Sequence, residues 1–364
     1  MNVATRVEAA VERVHATAYR IPTDRPESDG TLEWDSTTIV VVEVVADGGL
    51  GLGYTYGPAA LATLIHDELA EVVSGADALA PSGTWAHMGH HIRNMGRPGL
   101  GLMAIAAVDT ALWDLKARLL DLPLASLLGA VREDVPLYGS GGFTSYSDAQ
   151  LEAQLGGWAD AGFRFVKMKV GREPERDPAR VRVARSAIGD AELFVDANGA
   201  FARKQALRFA HDCVDDGVTY FEEPVSSDDR DGLRLLRDRA PQAIAAGEYA
   251  YTLADFVRLV DVVDVLQADV TRCGGITGFL QAAALAHAHE LEFSAHTAPA
   301  LHAHVCAAVQ PFSHLEWFHD HVRVESLLFD GVLEPVDGAL RPDLTRPGNG
   351  LELKREDAER WRAS

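Results

Sequence analysis

Short apolar runs that end in polar residues recur along the chain after residue 135. In order they are PLYGSGG (136–142), RFVKMKV (164–170), LFVDAN (193–198), TYFEEP (219–224), AIAAGE (243–248), VLQADV (265–270), EFSAHT (292–297) and HLEWF (314–318). Polar residues end the last seven runs at positions 169, 196, 222, 248, 269, 296 and 316, so consecutive ones are 20 to 27 residues apart. That spacing fits one strand, one helix and two short loops. Because the strands read as buried on both faces, the pattern predicts a parallel (β/α)₈ TIM barrel.

The first part of the chain has a different pattern. β-branched and aromatic residues concentrate at 14–21, 37–45 and 51–56, which predicts an antiparallel sheet. Between the first two runs lies IPTDRPESDGTLEWDS, which is too polar for a core and too long for a hairpin turn. We therefore predict a surface loop, either merely solvated or acting as a lid.

Helical spacing of apolar residues follows from residue 58 to 129. Residues 101–120 are apolar nearly all round, which is typical of a buried helix. Strands followed by helices in this way predict a small α+β domain ahead of the barrel. The tail after Asp330 carries three prolines, so we expect an irregular segment that packs back on the first domain.

Charge and cysteine content narrow the class of protein. The 364 residues include 33 Lys and Arg against 54 Asp and Glu, a net charge of −21. That excess of negative charge argues against a nucleic-acid partner and against an anionic membrane surface. Cys213, Cys273 and Cys306 are far apart and form no Cys-x-x-Cys pair, so we expect no disulfide framework and a reducing compartment. With no signal-peptide pattern and no apolar run long enough to cross a bilayer, we expect a cytoplasmic protein.

Three carboxylates end consecutive predicted strands. They are Asp196, Glu222 and Glu248, and the carboxyl ends of the strands of such a barrel meet at one mouth. Any one of them alone is most simply a partner of an arginine or a helix cap. Three together would repel one another unless a cation is present, and a hard divalent ion, Mg²⁺, resolves the conflict with oxygen ligands.

Acid/base candidates flank these carboxylates in the sequence. Lys167 and Lys169 alternate with apolar residues, so both side chains point into the barrel, where a buried lysine can become a general base near neutral pH. On later strands, a carboxylate at Asp269 would fix the tautomer of His296 and stabilise its protonated form.

Other polar residues near the last strand are less sharply assigned. Glu316, if buried, could be held protonated and donate a hydrogen bond to a developing oxyanion; the alternative is structural burial beside Arg323. His319 and His321 follow closely enough to touch a substrate at the mouth. The remaining histidine pairs lie in helical stretches at spacings that do not share a face, so we expect no second metal site.

These motifs resemble those of the enolase superfamily, specifically its mandelate racemase subgroup, over nearly the whole chain. The matching pieces are KMK (167–169), VDAN (195–198), FEEP (221–224), AAGE (245–248), QADVTRCGGIT (267–277), SAHT (294–297) and HLEW (314–317). The resemblance implies one Mg²⁺ held by Asp196, Glu222 and Glu248. Glu223 is left outside the ligand set because it would point to the other face of its strand.

The same resemblance implies roles for the remaining residues. Lys169 and His296 would be acid/base groups on opposite faces of the substrate, His296 being backed by Asp269. Lys167 would lower the pKa of Lys169 and touch the substrate carboxylate. Glu316 would hydrogen-bond that carboxylate, and Asn198 could reach a substrate hydroxyl. We add His319 as a further expected substrate contact.

The resemblance further implies a modified (β/α)₈ barrel at residues 129–330, an N-terminal α+β capping domain at residues 1–128, and a C-terminal segment at residues 331–364. Residues 21–37 and the turn at 53–57 would lie over the barrel mouth. Members of this subgroup commonly form symmetric assemblies, so we expect a homo-oligomer.

The shared chemistry of the subgroup is removal of the proton α to a carboxylate, so the substrate is expected to be a small carboxylate. Dehydration of a sugar acid to a 2-keto-3-deoxy acid is the first expectation. The alternatives are racemisation or epimerisation of a 2-hydroxy acid, cycloisomerisation of a sugar lactone, and, in another class, a non-catalytic sugar-acid binding protein. Arg272 stands where cycloisomerases of muconate and dipeptide epimerases carry a catalytic lysine, and a guanidinium does not deprotonate. That difference disfavours those two activities.

Overall fold

Three antiparallel strands form the first sheet of the computed structural model, which describes residues 9–363; residues 1–8 and 364, parts of two predicted domains, lie outside the described residues. The strands are β1 (Val11–Ser28), β2 (Glu33–Ala46) and β3 (Gly49–Tyr56), in that spatial order. The helices that follow are α1 (Ala60–Leu64), a π-helical turn (Ile65–Leu69), α2 (Ala70–Val73), α3 (Pro81–His91), a 3₁₀ turn (Ile92–Asn94), α4 (Leu100–Leu119) and α5 (Leu124–Leu128).

Helix α4 is the predicted buried helix, and it packs closely on β3. At Gly53 an added Cβ would lie 2.3 Å from the Ala107 carbonyl oxygen, so only glycine lets the strand approach the helix this closely. Nearly every side chain of α4 is buried as a result. No helix among the described residues is both long and apolar enough to cross a membrane.

The predicted surface loop before β2 is instead the end of a long β-hairpin. Strands β1 and β2 stay paired to Ser28 and Glu33, with a bulge after Pro22. The hairpin is closed by the Asp29 N–H, which donates to the Leu32 carbonyl at 3.0 Å. The prediction of a loop is therefore wrong, although residues 24–26 and 31–33 are exposed as predicted. Part of the polar content is bonded within the hairpin: Trp34 Nε1, for example, donates to the buried carboxylate of Glu27 at 2.8 Å.

Eight parallel strands close into the predicted barrel. They are β4 (Val135–Gly141), β5 (Phe165–Lys169), β6 (Glu192–Asp196), β7 (Val218–Glu222), β8 (Ala243–Ala246), β9 (Val265–Ala268), β10 (Glu292–Ala295) and β11 (Phe312–Phe318). Neighbours pair in sequence order, and β11 pairs with β4 to complete the ring. The intervening helices are α6 (Asp148–Asp160), α7 (Asp177–Ala187), α8 (Arg203–Asp212), α9 (Arg230–Arg239), α10 (Leu253–Leu259), α11 (Gly275–Ala288) and α12 (Pro299–Cys306), with α13 (His319–Leu328) after β11. All eight predicted strands are therefore present, and their carboxyl ends share one mouth.

The C-terminal segment returns to the first domain. It contains β13 (Ala339–Leu340), β14 (Glu352–Leu353) and α14 (Arg355–Glu359), and β14 pairs with β12 (Phe329–Asp330) at the end of the barrel region. The Asn349 side chain donates to the Leu52 carbonyl at 3.0 Å, and its backbone N–H donates to Asp114 Oδ1 at 2.6 Å. These bonds tie the segment to β3 and α4 together.

Candidate active site

Three carboxylates meet at the carboxyl ends of β6, β7 and β8. One oxygen each from Asp196, Glu222 and Glu248 lies within 4.8 Å of the other two, and all three side chains are buried. Gly247 makes this approach possible: its φ is +146°, and an added Cβ would lie 1.8 Å from the Gln267 carbonyl oxygen. The structure thus brings together the three side chains expected from sequence to be the metal ligands.

The donor set fits a hard divalent cation. Glu222 Oε1 and Glu248 Oε2 are buried and accept no hydrogen bond from the described residues. Burial raises the pKa of Glu222 well above its usual value; the charge on Lys167 opposes the rise and that on Asp196 adds to it. Mg²⁺ prefers oxygen ligands. A bound cation would also offset the repulsion between these buried carboxylates and occupy the oxygens that lack partners.

Two lysines of β5 face the carboxylates. Lys169 Nζ lies 2.5 Å from Asp196 Oδ2, and Lys167 Nζ lies 2.7 Å from Glu222 Oε2. Burial is the largest influence on the pKa of Lys169 and lowers it, and Lys167 lowers it further, but the carboxylates of Asp196, Glu316 and Glu248 together raise it overall. The direction is opposite to the lowering expected from burial alone, because these carboxylates stabilise the ammonium form. Lys167 lowers the pKa of Lys169, as the sequence analysis expected.

His296 forms the expected pair with Asp269. Its Nδ1 lies 2.8 Å from Asp269 Oδ2, and its Nε2 lies 3.4 Å from Glu248 Oε2. Burial would raise the pKa of Asp269, but the hydrogen bond and charge of His296 and the Arg272 guanidinium lower it overall. Asp269 is thus an ionised carboxylate that orients the imidazole. Lys169 contacts Asp196 at the end of β6 and His296 lies near Glu248 just after β8, so the two groups lie beside different members of the carboxylate set.

Glu316 is buried as an ionised acceptor. Its Oε1 accepts a hydrogen bond from Ser140 Oγ at 2.6 Å and lies 2.9 Å from Lys167 Nζ, while its Oε2 accepts from the Thr297 N–H at 3.0 Å. Burial would raise its pKa, but Lys167 and nearby charges lower it overall. The expectation of a protonated, donating Glu316 is therefore wrong. The alternative of burial beside Arg323 is also wrong, because that guanidinium pairs with an aspartate of its own helix.

A cleft of about 230 Å³ opens over these groups, between the barrel mouth and the hairpin of β1 and β2. Its lining residues are Asp29, Leu32, Trp34, Ser36, Thr37, Lys169, Asn198, Glu248, Tyr249, Arg272, His296, Thr297, Glu316, Phe318 and His321. Asn198 and Glu316 therefore lie where substrate contacts were expected. Lys167 is fully buried and is absent from this lining, as is His319, whose Nε2 lies 3.3 Å from Asp24.

Sequence reasoning missed Glu223 as a group at the mouth. Glu223 was expected on the other face of its strand, but it is buried beside Glu248 and Asp196. Burial is the largest cause of its raised pKa, and the charges on these two carboxylates raise it further. Its φ of +38° turns the chain at the strand end, so strict alternation of side chains stops there. Asn198 and Thr297 also have positive φ values, +46° and +51°. Such strained residues gather at functional sites, but the sequence gives no signal for a positive φ at Glu223, because a residue before a proline normally favours extended backbone with negative φ.

Comparisons with known proteins agree with this geometry. Residues 16–129 match the family model "Mandelate racemase / muconate lactonizing enzyme, N-terminal domain", and residues 150–358 match "Enolase C-terminal domain-like". The chain is 33% identical over 359 residues to 3,6-anhydro-alpha-L-galactonate cycloisomerase from Streptomyces coelicolor, covering 94% of this chain and 97% of that protein.

Two solved structures are similar over almost their full length. A mandelate racemase/muconate lactonizing enzyme-like protein from Rubrobacter xylanophilus is 60% identical, with a TM-score of 0.96, covering 97% of this chain and 100% of that one. L-talarate/galactarate dehydratase from Salmonella typhimurium LT2, liganded with Mg and L-lyxarohydroxamate, is 29% identical, with a TM-score of 0.91, covering 100% of this chain and 95% of that one.

Proposed function

Because the chain belongs to the mandelate racemase/muconate lactonizing enzyme family of the enolase superfamily, we propose that it dehydrates a sugar acid to a 2-keto-3-deoxy acid. It is an enzyme of the lyase or isomerase type, with Mg²⁺ as cofactor. The reaction within that class, the substrate and the residue roles are the proposal. The observation that supports it most directly is the buried carboxylate set with Lys169 beside Asp196 and the His296–Asp269 pair beside Glu248.

Asp196, Glu222 and Glu248 would hold the ion. When bound, Mg²⁺ supplies the positive charge that stabilises negative charge developing on the substrate carboxylate as the α-proton leaves. The same site would hold the substrate by its carboxylate, with its carbon chain directed toward the hairpin.

Lys169 and His296 would move the protons. One of them takes the proton from the α-carbon, and a protonated His296 can give a proton to the hydroxyl on the β-carbon, which then departs as water. Asp269 accepts the Nδ1–H of His296, which leaves Nε2 free to act toward the cleft. Glu316 is an acceptor in the structure, so we assign it to a substrate hydroxyl rather than to the substrate carboxylate. Lys167 is buried below the cleft, where it contacts Glu222 and Glu316, and we assign it the role of holding these two side chains in place.

Cycloisomerisation of a sugar lactone or anhydro acid is the second candidate, since the Streptomyces relative is a cycloisomerase. It needs the same α-proton removal but a ring oxygen as the leaving group. If no group leaves, return of the proton from the opposite side inverts the centre, which is racemisation or epimerisation.

A screen of the purified, Mg²⁺-loaded protein separates these outcomes. The panel contains C5 and C6 aldonates, aldarates and their lactones in D₂O, followed by NMR and by a colorimetric test for 2-keto acids. A 2-keto acid supports dehydration; deuterium at the α-carbon with unchanged formula means racemisation or epimerisation, and isomerised product from lactones means cycloisomerisation. If the parent and Lys169→Ala both bind sugar acids but neither gives any of these products, the protein only binds sugar acids. Light scattering on the same sample tests the expected homo-oligomer.

A further inference from the structure

His321 is the one histidine after β11 that lines the cleft within the described residues. It lies in the first turn of α13, is 9% exposed, and has a buried Nδ1 without a hydrogen-bond partner among residues 9–363. An unpaired polar atom in such a place costs free energy unless a ligand or water satisfies it. The site thus contains a hydrogen-bonding group that the proposed reaction does not use.

The ring is held firmly against the capping sheet. It stacks on Tyr56 with 3.5 Å between ring centroids and 13° between planes, and it meets the edge of Phe318 at 5.0 Å. Tyr56 and Tyr54 both donate to Glu325 Oε1, at 3.4 and 2.5 Å. This connected set fixes the direction of the His321 ring from both domains.

The ring is also uncharged. Burial lowers the pKa of His321 to about 3, and the charge on His296 lowers it in the same sense. A neutral imidazole has one donor and one acceptor nitrogen, which suits a hydroxyl rather than a carboxylate. The charged groups that act on it are His296, Asp269, Glu316 and Arg272, all of them at the barrel mouth.

We propose that His321 is a specificity-determining residue, which hydrogen-bonds one hydroxyl of the sugar acid in the cleft. The inference rests on the proposed function in one respect, that the ligand is a sugar acid. It does not depend on whether that acid is dehydrated, epimerised or cyclised.

The test uses the full chain with Mg²⁺ and measures binding by calorimetry. The probes are C5 and C6 aldonates and aldarates together with their single-position deoxy forms. His321→Phe keeps an aromatic ring on Tyr56 but removes the hydrogen bond, and His321→Gln restores a donor and an acceptor. His319→Phe makes the same change two residues earlier on α13, outside the cleft lining, and Mg²⁺ affinity monitors the integrity of each variant.

We expect His321→Phe to bind the preferred acid about tenfold more weakly, with Mg²⁺ affinity unchanged. The parent should lose the same factor when one particular hydroxyl is removed, and on that deoxy acid the parent and His321→Phe should bind equally. His321→Gln should recover most of the loss.

Three results would overturn the proposal: an equal loss on the preferred acid and on every deoxy form, no loss at all, or a loss in His319→Phe instead. Absence of binding of every acid to the parent would overturn it together with the proposed function. An acid that binds the parent without forming a 2-keto acid, incorporating deuterium or isomerising would contradict the proposed function alone, and the comparison of variants would still stand.

Discussion

Substitution of Glu325 by glutamine should stabilise the protein at alkaline pH. Glu325 is fully buried on α13, where Oε1 accepts from Tyr54 and Oε2 accepts from the Ala300 N–H at 3.2 Å. Burial raises the pKa of this carboxyl from 4.5 to about 8, against the opposing hydrogen bonds. Between those pH values the folded state holds a proton that the unfolded state has released, so the stability of the parent falls as pH rises.

The pKa difference sets the size of the effect. Each pH unit between 4.5 and about 8 costs about 1.4 kcal/mol, which gives a ceiling of about 5 kcal/mol for Glu325. Glutamine keeps an oxygen to accept from Tyr54 but cannot ionise, so it removes this dependence. The difference in free energy of unfolding, Glu325→Gln minus parent, should therefore rise from pH 4.5 to about 8 and then stay level.

Urea unfolding at pH 4.5, 6, 7, 8 and 9, followed by circular dichroism, measures this difference. Glu356→Gln, on the exposed face of α14, is the matched control and should change stability by less than about 0.5 kcal/mol at every pH. A Glu325→Gln difference that does not vary with pH would refute the reasoning. It would mean that Glu325 is ionised in the folded protein and that its hydrogen bonds compensate for burial.

Three further predictions concern the site. Lys169→Ala should lower kcat by 10²- to 10⁴-fold on any acid that the parent converts, while Mg²⁺ still binds; steady-state kinetics with calorimetry check this, and a kcat within threefold of the parent would contradict it. Asp269→Asn should lower kcat by about 10²-fold or more, because an amide does not stabilise the protonated form of His296; a normal kcat and pH profile would contradict it. Glu248→Gln should weaken Mg²⁺ binding at least about tenfold, measured by calorimetry, and an unchanged Kd would remove Glu248 from the ligand set.

The barrel and the carboxylate set could be predicted because both follow from a repeated local pattern. Each strand is buried on both faces, so its apolar run stands out, and the residue that ends it is delivered to the mouth by the closed ring. Asp196 and Glu222 are the last residues of their strands in the structure, as the runs implied. No knowledge of helix packing was needed to bring them together.

The hairpin could not be predicted in this way, because some of its polar residues are satisfied by one another while others remain exposed. Polarity in IPTDRPESDGTLEWDS indicated exposure, yet Glu27 and Ser28 are buried. A carboxylate that accepts from an indole N–H, and an aspartate that accepts from two backbone N–H groups of its own turn, need no solvent. Composition measures how many polar groups a segment carries, whereas burial depends on whether partners are in reach. The consequence is functional, because this hairpin supplies Leu32 and Trp34 to the cleft.

The charge states of the site were beyond sequence reasoning for a related cause. Burial alone would lower the pKa of a lysine and raise that of a glutamate. For that reason the sequence analysis expected Lys169 to act as a general base near neutral pH and Glu316 to be protonated. In the structure the opposite charges gathered around each group outweigh burial together, starting with Asp196 at 2.5 Å from Lys169 and Lys167 at 2.9 Å from Glu316. The sign of each change therefore depends on contacts between strands that are distant in sequence. It follows that the acid/base behaviour of Lys169 must be measured with Mg²⁺ present, because the ion would share the Asp196 carboxylate that now raises the pKa of this lysine.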